Sequence, residues 1–354
     1  MTDTQLTATG LLASLGAEIP LVAAPMAGGP STPALVVAAA DAGGLGFLAA
    51  GYTSPDELAG LIAQVRRRTG LFGVNLFAPN PTAVSANAYA RYREALLPLA
   101  RGYGVELPQW QTSERDDDSW DAKLAVLTRA PVPVVSFTFG IPSAEVVARL
   151  HAVGTLTAQS VTTAAEAALA TERGVDALVV QSYAAGGHSA TTTPAEPVAE
   201  IAIEQLLADV RRASDLPVWA AGGIVTPEQV RLAIAAGAEA VAVGTVLVRS
   251  PESGASAAYK RALAELGEGD TVLTTAFSGR PARALRNAFT EGFTSLAPLG
   301  YPAIHFLTSP IRRAATQAGD IDAINVWAGT GHREARPDPA AQILRRLAGE
   351  GLAR

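Results

Sequence analysis

The stretch Ala177-Leu178-Val179-Val180-Gln181-Ser182-Tyr183-Ala184-Ala185-Gly186-Gly187-His188 decides how this chain is read. Its first four residues are all apolar, the pattern of a strand buried on both faces of a parallel sheet. An amide follows at the strand end, then two glycines, then one of only four histidines. Core packing has no use for that order. The mouth of a barrel does: glycines let backbone approach a ligand closely, and an imidazole exchanges a proton near neutral pH. The bland alternative is a glycine turn followed by a solvated histidine.

On either side the same strand–helix rhythm recurs. Residues 21–26, 45–50 and 72–77 read as strands one to three. Helices follow at 33–42, with Ser31 as its cap, and at 54–68. In the latter, Ser54-Pro55-Asp56-Glu57 supplies a cap, a proline at the first helical position and acids in the first turn. Strands four to six fall at 132–139, 155–159 and 177–181, between helices at 120–129, 143–153 and 162–173. A helix at 197–212, strands seven and eight at 217–221 and 240–243, and a helix start at Thr226-Pro227-Glu228 complete eight units. Alternating units of this kind give parallel strands, and eight of them predict an α/β fold, a closed (β/α)8 barrel. An open doubly wound sheet is the alternative, with fewer strands as a rule.

Two regions break the rhythm. Residues 79–118 hold four prolines (Pro79, Pro81, Pro98, Pro108), a helical stretch at 83–100 and the acidic run Glu114-Arg115-Asp116-Asp117-Asp118. They read as an insertion after strand three lying over the barrel mouth, with the acidic run as a solvated loop and helix start rather than a metal site. From Gly267 the pattern changes again, and a C-terminal cap is expected. The predicted organisation is a barrel from 1–78 and 119–265, a cap from 79–118 and 266–325, and a C-terminal part, 326–354, whose amphipathic helix at 338–352 returns to the barrel wall.

Bulk properties narrow the function. The chain has 354 residues, 49% hydrophobic and 17% charged, so a large core is available and disorder is not expected. A net charge of -6 and the lack of a basic run argue against nucleic-acid binding. With no cysteine, disulfides, thiolate catalysis and cysteine-ligated metals are excluded. The N-terminal MTDTQLTATG has no basic segment before an apolar core, and no apolar stretch reads as a membrane span, so the expectation is a soluble cytoplasmic protein.

Ala221-Gly222-Gly223 and Gly244-Thr245 close strands seven and eight. In this fold the loops after those strands commonly form a phosphate cup, since glycines expose backbone N–H groups and the next helix adds its dipole. Two ordinary glycine turns are the bland reading. No Walker loop or GxGxxG is present, so a nucleoside triphosphate or classical dinucleotide site is not supported.

In order and spacing, PMAGGPS (25–31), FGVN (72–75), QSYAAGGH (181–188), AAGGI (220–224) and VGT (243–245) resemble the nitronate monooxygenase family, once called 2-nitropropane dioxygenases. GRPARALRN (279–287), YPAIHFLTSP (301–310) and WAGTG (327–331) resemble its bacterial members. The resemblance implies an FMN-dependent (β/α)8 barrel that oxidises alkyl nitronates with O2 and has no need of NAD(P)H. It implies that Ala24, Pro25 and Met26 lie beside the flavin ring and that Asn75 and Gln181 hydrogen-bond it. Ala221, Gly222, Gly223, Gly244 and Thr245 would bind the phosphate, Gly186 and Gly187 would border the flavin, and His188 would be the catalytic histidine. The chain departs from the family pattern at Ser182 and Ala184, where Gly and Glu are frequent, and at Val246 and Leu247, where a bulky pair is frequent.

The other candidates carry bland readings beside functional ones. His151 reads as a structural residue at a helix end and His332 as solvated beside Arg333. Tyr301 and His305 are weak candidates for substrate contact from the cap, with ordinary packing as the alternative. Arg280, Arg283 and Arg286, spaced i, i+3, i+6, read as a solvated helix face, with an anion gate as the functional alternative. Three rival functions stand beside the nitronate reading: a flavin-dependent enoyl-acyl-carrier-protein reductase using NAD(P)H, a non-catalytic flavin-binding barrel, and a phosphate-sugar lyase or isomerase. The last would need a second acid–base group, and no Lys or Glu falls at a predicted strand end.

Overall fold

The computed structural model describes residues 5–110, 117–266 and 269–349; of the acidic run, Glu114, Arg115 and Asp116 lie outside them. Eight parallel strands form the barrel: β1 (Leu21–Ala23), β2 (Leu45–Ala49), β3 (Phe72–Ala78), β4 (Val134–Phe139), β5 (Leu156–Val161), β6 (Ala177–Gln181), β8 (Val218–Ala221) and β9 (Ala240–Val243). Val22 of β1 pairs with Leu45 of β2 on one side and Ala242 of β9 on the other, so the sheet closes and the open alternative is excluded. Around it run α2 (Pro33–Asp41), α3 (Pro55–Arg66), α5 (Trp120–Arg129), α6 (Ala144–His151), α7 (Ala164–Glu172), α8 (Ile203–Ala213) and α9 (Pro227–Ala235).

The barrel interior is filled, as the fold requires. Phe47 and Trp219 meet inside it, ring centroids 6.3 Å apart. Gly73 makes room for Phe47, since a Cβ there would lie 2.3 Å from its ring. The short helix α1 (Gly10–Ser14) brings Leu12 into the same cluster as Val22, Leu45, Val134 and Ala240. Its Leu12 N–H donates to Glu239 Oε1 at 2.6 Å.

Local signals set most boundaries. Ser54 and Thr226 both form capping boxes, with Glu57 and Gln229. Ser31 is not the cap of α2. Thr32 Oγ1 accepts from Leu35 N there, while Ser31 Oγ accepts from Met26 N and folds the loop after β1. The helix expected from 197 starts only at Ile203, because Pro197 follows a turn in which Glu196 N donates to Thr193 O.

A second core stands apart from the barrel. It unites α4 (Ala86–Gly102), α10 (Ala257–Glu265), α12 (Ala303–Ala318), Phe277, Phe289 and Trp327. Val248 and α10 already belong to it, so packing divides the chain earlier than a boundary at 265/266. The C-terminal helix α13 (Ala340–Leu347) turns Ile343, Leu344 and Leu347 into the barrel-side core beside Leu35 and Val230. Gly187–His188 is itself a short strand, β7. It pairs with β11 (Ala282–Leu285), which pairs in turn with β10 (Thr271–Thr274), all antiparallel. The stretch carrying Arg280 and Arg283 is therefore not a helix. Among the described residues no helix is long and apolar enough to cross a membrane.

Candidate active site

A cavity of about 580 Å³ opens where the barrel strands end. Trp219 and Phe47 line it from the filled interior, and Ala24, Pro25 and Met26 line it after β1. Gly186, Gly187, Ala221, Gly222, Gly223, Gly244 and Thr245 all border it, so the loops after three different strands converge on one space.

Gly222 and Gly223 adopt φ of 103° and 74°, values that L side chains rarely reach. Space forbids side chains there as well: a Cβ on Gly222 would lie 2.6 Å from Ser182 Oγ, and one on Gly223 2.8 Å from Ala184 Cβ. The departures at 182 and 184 thus pack against these glycines, and Ser182 Oγ also donates to Gly222 O at 3.2 Å. Gly244 is roomier, its virtual Cβ 3.5 Å from Met26 Sδ. Thr245 Oγ1 accepts from Gly329 N at 3.0 Å, which brings the WAGTG segment into the cup. His332 is buried, not solvated, because Nδ1 is taken up by Gly329 O at 3.1 Å. Val246 borders the cavity, whereas Leu247 is wholly in the barrel-side core.

The two amides differ. Asn75 is buried, and its Oδ1 accepts from Ser136 Oγ at 2.8 Å and Thr138 Oγ1 at 3.0 Å. Its Nδ2 donates to no described protein atom, and the residue lines the cavity. Gln181 works inward: Nε2 donates to His188 O at 3.2 Å and Oε1 accepts from Ala190 N at 2.8 Å. It therefore fixes the backbone that carries the histidine.

His188 lines the cavity, its ring among Phe139, Tyr301 and Trp327, with centroids 5.7, 6.0 and 5.2 Å away. Nε2 meets Ser278 Oγ at 2.8 Å. Burial, and then the positive charges of Arg280 and Arg312, push its pKa down from 6.5 to about 3, so the ring is neutral at working pH.

The arginines were expected on a solvated face, yet Arg280 and Arg283 are buried. Arg280 lies 4.0 Å over the Phe139 ring and donates to the backbone oxygen of Thr191, pinning the loop after β7. Arg283 Nε donates to Tyr183 O at 2.8 Å. Only Arg286 is exposed. For Arg280 and Arg283 the carbonyls come from the loops after β7 and β6, which a solvated helix face would not reach.

The remaining wall comes from α12, which the sequence reading did not identify because Pro310 stands inside it. Its apolar residues Ile304, Leu307, Ile311 and Ala315 are buried at helical spacing. The opposite rows, His305, Ser309, Arg312 and Thr316, line the cavity. That i, i+4, i+7, i+11 spacing was the available signal. His305 stacks on Tyr52 at 4.2 Å, and burial beside Arg312 holds its pKa well below 6.5. Tyr301 does not border the main cavity. It sits behind, its hydroxyl donating to Tyr52 Oη at 3.2 Å. Tyr52, unrecognised in the sequence, is placed by the acidic run: its N–H donates to Asp118, whose carboxylate also pairs at 2.6 Å with the buried Lys123. Asp118 is thus part of an ion pair rather than a solvated loop. His151 is structural, 2.8 Å from Asp176.

A closed (β/α)8 barrel with a glycine cup after its last two strands and a neutral histidine at its mouth defines a small-molecule enzyme. The nitronate monooxygenase family profile matches residues 11–350. A nitronate monooxygenase of Pseudomonas aeruginosa is 38% identical over 344 residues, 95% of this chain and 97% of that protein. A probable nitronate monooxygenase of Staphylococcus aureus is 34% identical, covering 93% of each. Among solved structures, nitroalkane oxidase from Streptomyces ansochromogenes superposes with a TM-score of 0.88 at 46% identity, over 93% of this chain and 94% of that one. FabK from Thermotoga maritima gives 0.75 at 27%, over 96% and 95%. The chain belongs to the nitronate monooxygenase family, whose members are flavin-dependent oxidoreductases. The residues present suit a flavin: an unpartnered Asn75 amide nitrogen can serve a ring carbonyl or nitrogen, and side-chain-free backbone at Gly222, Gly223 and Gly244 can serve a phosphate.

Proposed function

We propose that this protein binds FMN non-covalently in the cavity and oxidises alkyl nitronates, and nitroalkanes after loss of their α-proton, with O2 to a carbonyl compound and nitrite. One observation carries the reading: His188 lies at the mouth of a flavin-sized cavity with Nε2 engaged by Ser278 Oγ at 2.8 Å, above the glycine cup. Flavin supplies the one-electron chemistry when bound. In this reading Ala24, Pro25 and Met26 flank the ring, Asn75 donates to its polar edge, and Gly222, Gly223, Gly244 and Thr245 hold the phosphate.

His188 is the proton acceptor. The Ser278 hydroxyl donates to Arg280 O at 3.3 Å, so its oxygen accepts from Nε2–H of His188 and Nδ1 keeps its lone pair. Gln181 and Arg280 hold the two ends of the loop, which fixes the ring relative to the cavity. A neutral imidazole can take an α-proton at once, without first losing one to water.

The test is anaerobic. Purified protein should be yellow, release FMN on denaturation, bleach with an alkyl nitronate, and release nitrite once air is admitted. Colourless protein that takes up no FMN would remove the cofactor assignment. Bleaching by NAD(P)H with no response to a nitronate would turn the reading to the enoyl reductase class.

A further inference from the structure

We infer that Arg312 is the anion receptor of this site: its charge pairs with the nitronate and its remaining Nη1 proton is donated to one nitronate oxygen, leaving proton transfer to His188. The inference rests on the functional reading above and assigns a role to a residue outside its motifs.

Arg312 and the exposed Arg313, both on α12, line the cavity, whereas the buried Arg280 does not; of the two, Arg312 is the one held in place by the structure. Its side chain is held rigidly by neutral groups. Nε donates to Thr308 Oγ1 at 3.0 Å and Nη1 to Asn325 Oδ1 at 3.1 Å. Nη2 donates to His305 O at 2.9 Å and Ser309 Oγ at 2.8 Å, with His305 Nδ1 at 3.3 Å. No carboxylate forms an ion pair with it among the described residues. A guanidinium has five N–H donors. These contacts engage Nε–H, both Nη2 protons and one of the two on Nη1, so a donor on Nη1 remains for the cavity.

Arg312 is half-buried, and an arginine withdrawn from water normally has a carboxylate partner, because the desolvated charge is otherwise costly. Here burial, the first cause, brings its pKa down to about 10, still far above working pH, so it stays cationic. A planar anion with its charge spread over two oxygens on one atom complements that charge, and a nitronate is such an anion. The polar scaffold of Thr308, Asn325, Ser309 and His305 orients the fork without neutralising it.

The charged and titratable groups around the pair support the split of roles. His188 feels Arg280 and Arg312, with Tyr301 beside its ring, and its own charge acts on His305. Arg312 feels Tyr52 from the loop after β2, Tyr92 from α4 and Arg313 from its own helix. Tyr52 and Tyr301 are raised above 10 and His305 is depressed, so none changes charge between about pH 7 and 9.

Flavin-loaded Arg312→Gln should therefore bind inorganic nitrate about 10- to 100-fold more weakly than wild type, read by perturbation of the flavin absorbance. Its KM for an alkyl nitronate should rise by the same factor, while flavin content and KM for the neutral nitroalkane stay near wild type. Arg312→Lys, which keeps the charge but loses the planar fork, should fall between the two. Wild-type KM for the nitronate should be flat from about pH 7 to 9. If protonated His188 held the anion instead, KM would rise about tenfold per pH unit above its pKa, and the inference would be overturned. Unchanged nitrate and nitronate binding in Arg312→Gln would overturn it equally. If that variant fails to fold, the wild-type pH series still tests the inference, since a nitronate KM that climbs from pH 7 to 9 overturns it. Failure of the wild type to oxidise any nitronate would strike the functional reading instead, and the nitrate titration would still report on Arg312.

Discussion

The two walls of the cavity are built differently. The barrel wall carries no charge: its rim is backbone and small residues, Gly222, Gly223, Gly244 and Ala24, at the ends of strands in a fixed register, and its floor is Phe47 and Trp219. The wall from the second core is side chains: Tyr52, His305, Arg312 and Trp327, assembled from a loop, a helix and a tail segment. The barrel wall offers donors that any chain of this fold can present. The other wall brings charge, and it alone contributes cations, Arg312 and Arg313, for which no carboxylate forms an ion pair among the described residues. Cofactor binding should therefore depend on the first and substrate choice on the second.

The sharpest way to break that division is His188, where the walls meet. His188→Asn keeps size and hydrogen bonding but cannot accept the proton. Nitroalkane turnover should drop about 10²–10⁴-fold, with nitronate turnover affected less and flavin content unchanged. Steady-state rates on both substrate forms check this, and wild-type rates on both would remove His188 from the mechanism. Because the ring stays neutral down to about pH 3, nitroalkane kcat/KM should lose no activity to its protonation between pH 8 and 5. The stability sign follows from the same shift. In the unfolded chain the imidazole takes up its proton near 6.5, and in the folded one only near 3. Its contribution is thus full above 6.5 and lost as pH falls through that window, which denaturant midpoints would register.

Gly244→Asp tests the barrel wall alone. The position has room for a side chain, so the fold should survive, but a carboxylate would face the phosphate. Like-charge juxtaposition costs several kcal/mol, so the Kd for FMN should rise on the order of 100-fold or more. A variant that purifies with full flavin would place the phosphate elsewhere.

Asp118→Asn tests the support of the other wall. It leaves Lys123 buried without its charge partner and loosens Tyr52. A cost of about 1–3 kcal/mol is expected, below the full range for a buried pair because Asp118 is partly exposed. Thermal unfolding should show it, and KM should shift while flavin content does not. The smallest effect belongs to the barrel's periphery. Ser54→Ala removes a capping box and should cost about 1 kcal/mol, with turnover untouched.

The eight strands, the closed barrel and the glycine turns were legible because each is written locally. Apolar runs of strand length, caps such as Ser54 and Thr226, and glycines needed for φ above zero depend on near neighbours in the chain. His188 and Asn75 stood out for the same reason, one as a polar residue just after an apolar strand and the other as a polar residue inside one. What the sequence could not determine is whatever depends on contacts between distant segments. The arginines at 280 and 283 look like a solvated face until β11 is paired with β7, which surrounds them with carbonyls. Asp118 looks solvated until Lys123 is buried beside it, and His332 until Gly329 arrives at the cup. Arg312 gains its meaning only when α12 packs its apolar rows on the second core and turns its polar rows to the cavity. The sequence by itself determined the barrel and its backbone-lined cup, since hydrophobic periodicity and turn chemistry act over a few residues. Tertiary structure alone decided which charges are stripped of water, because desolvation depends on everything folded around a group and not on its neighbours in the chain.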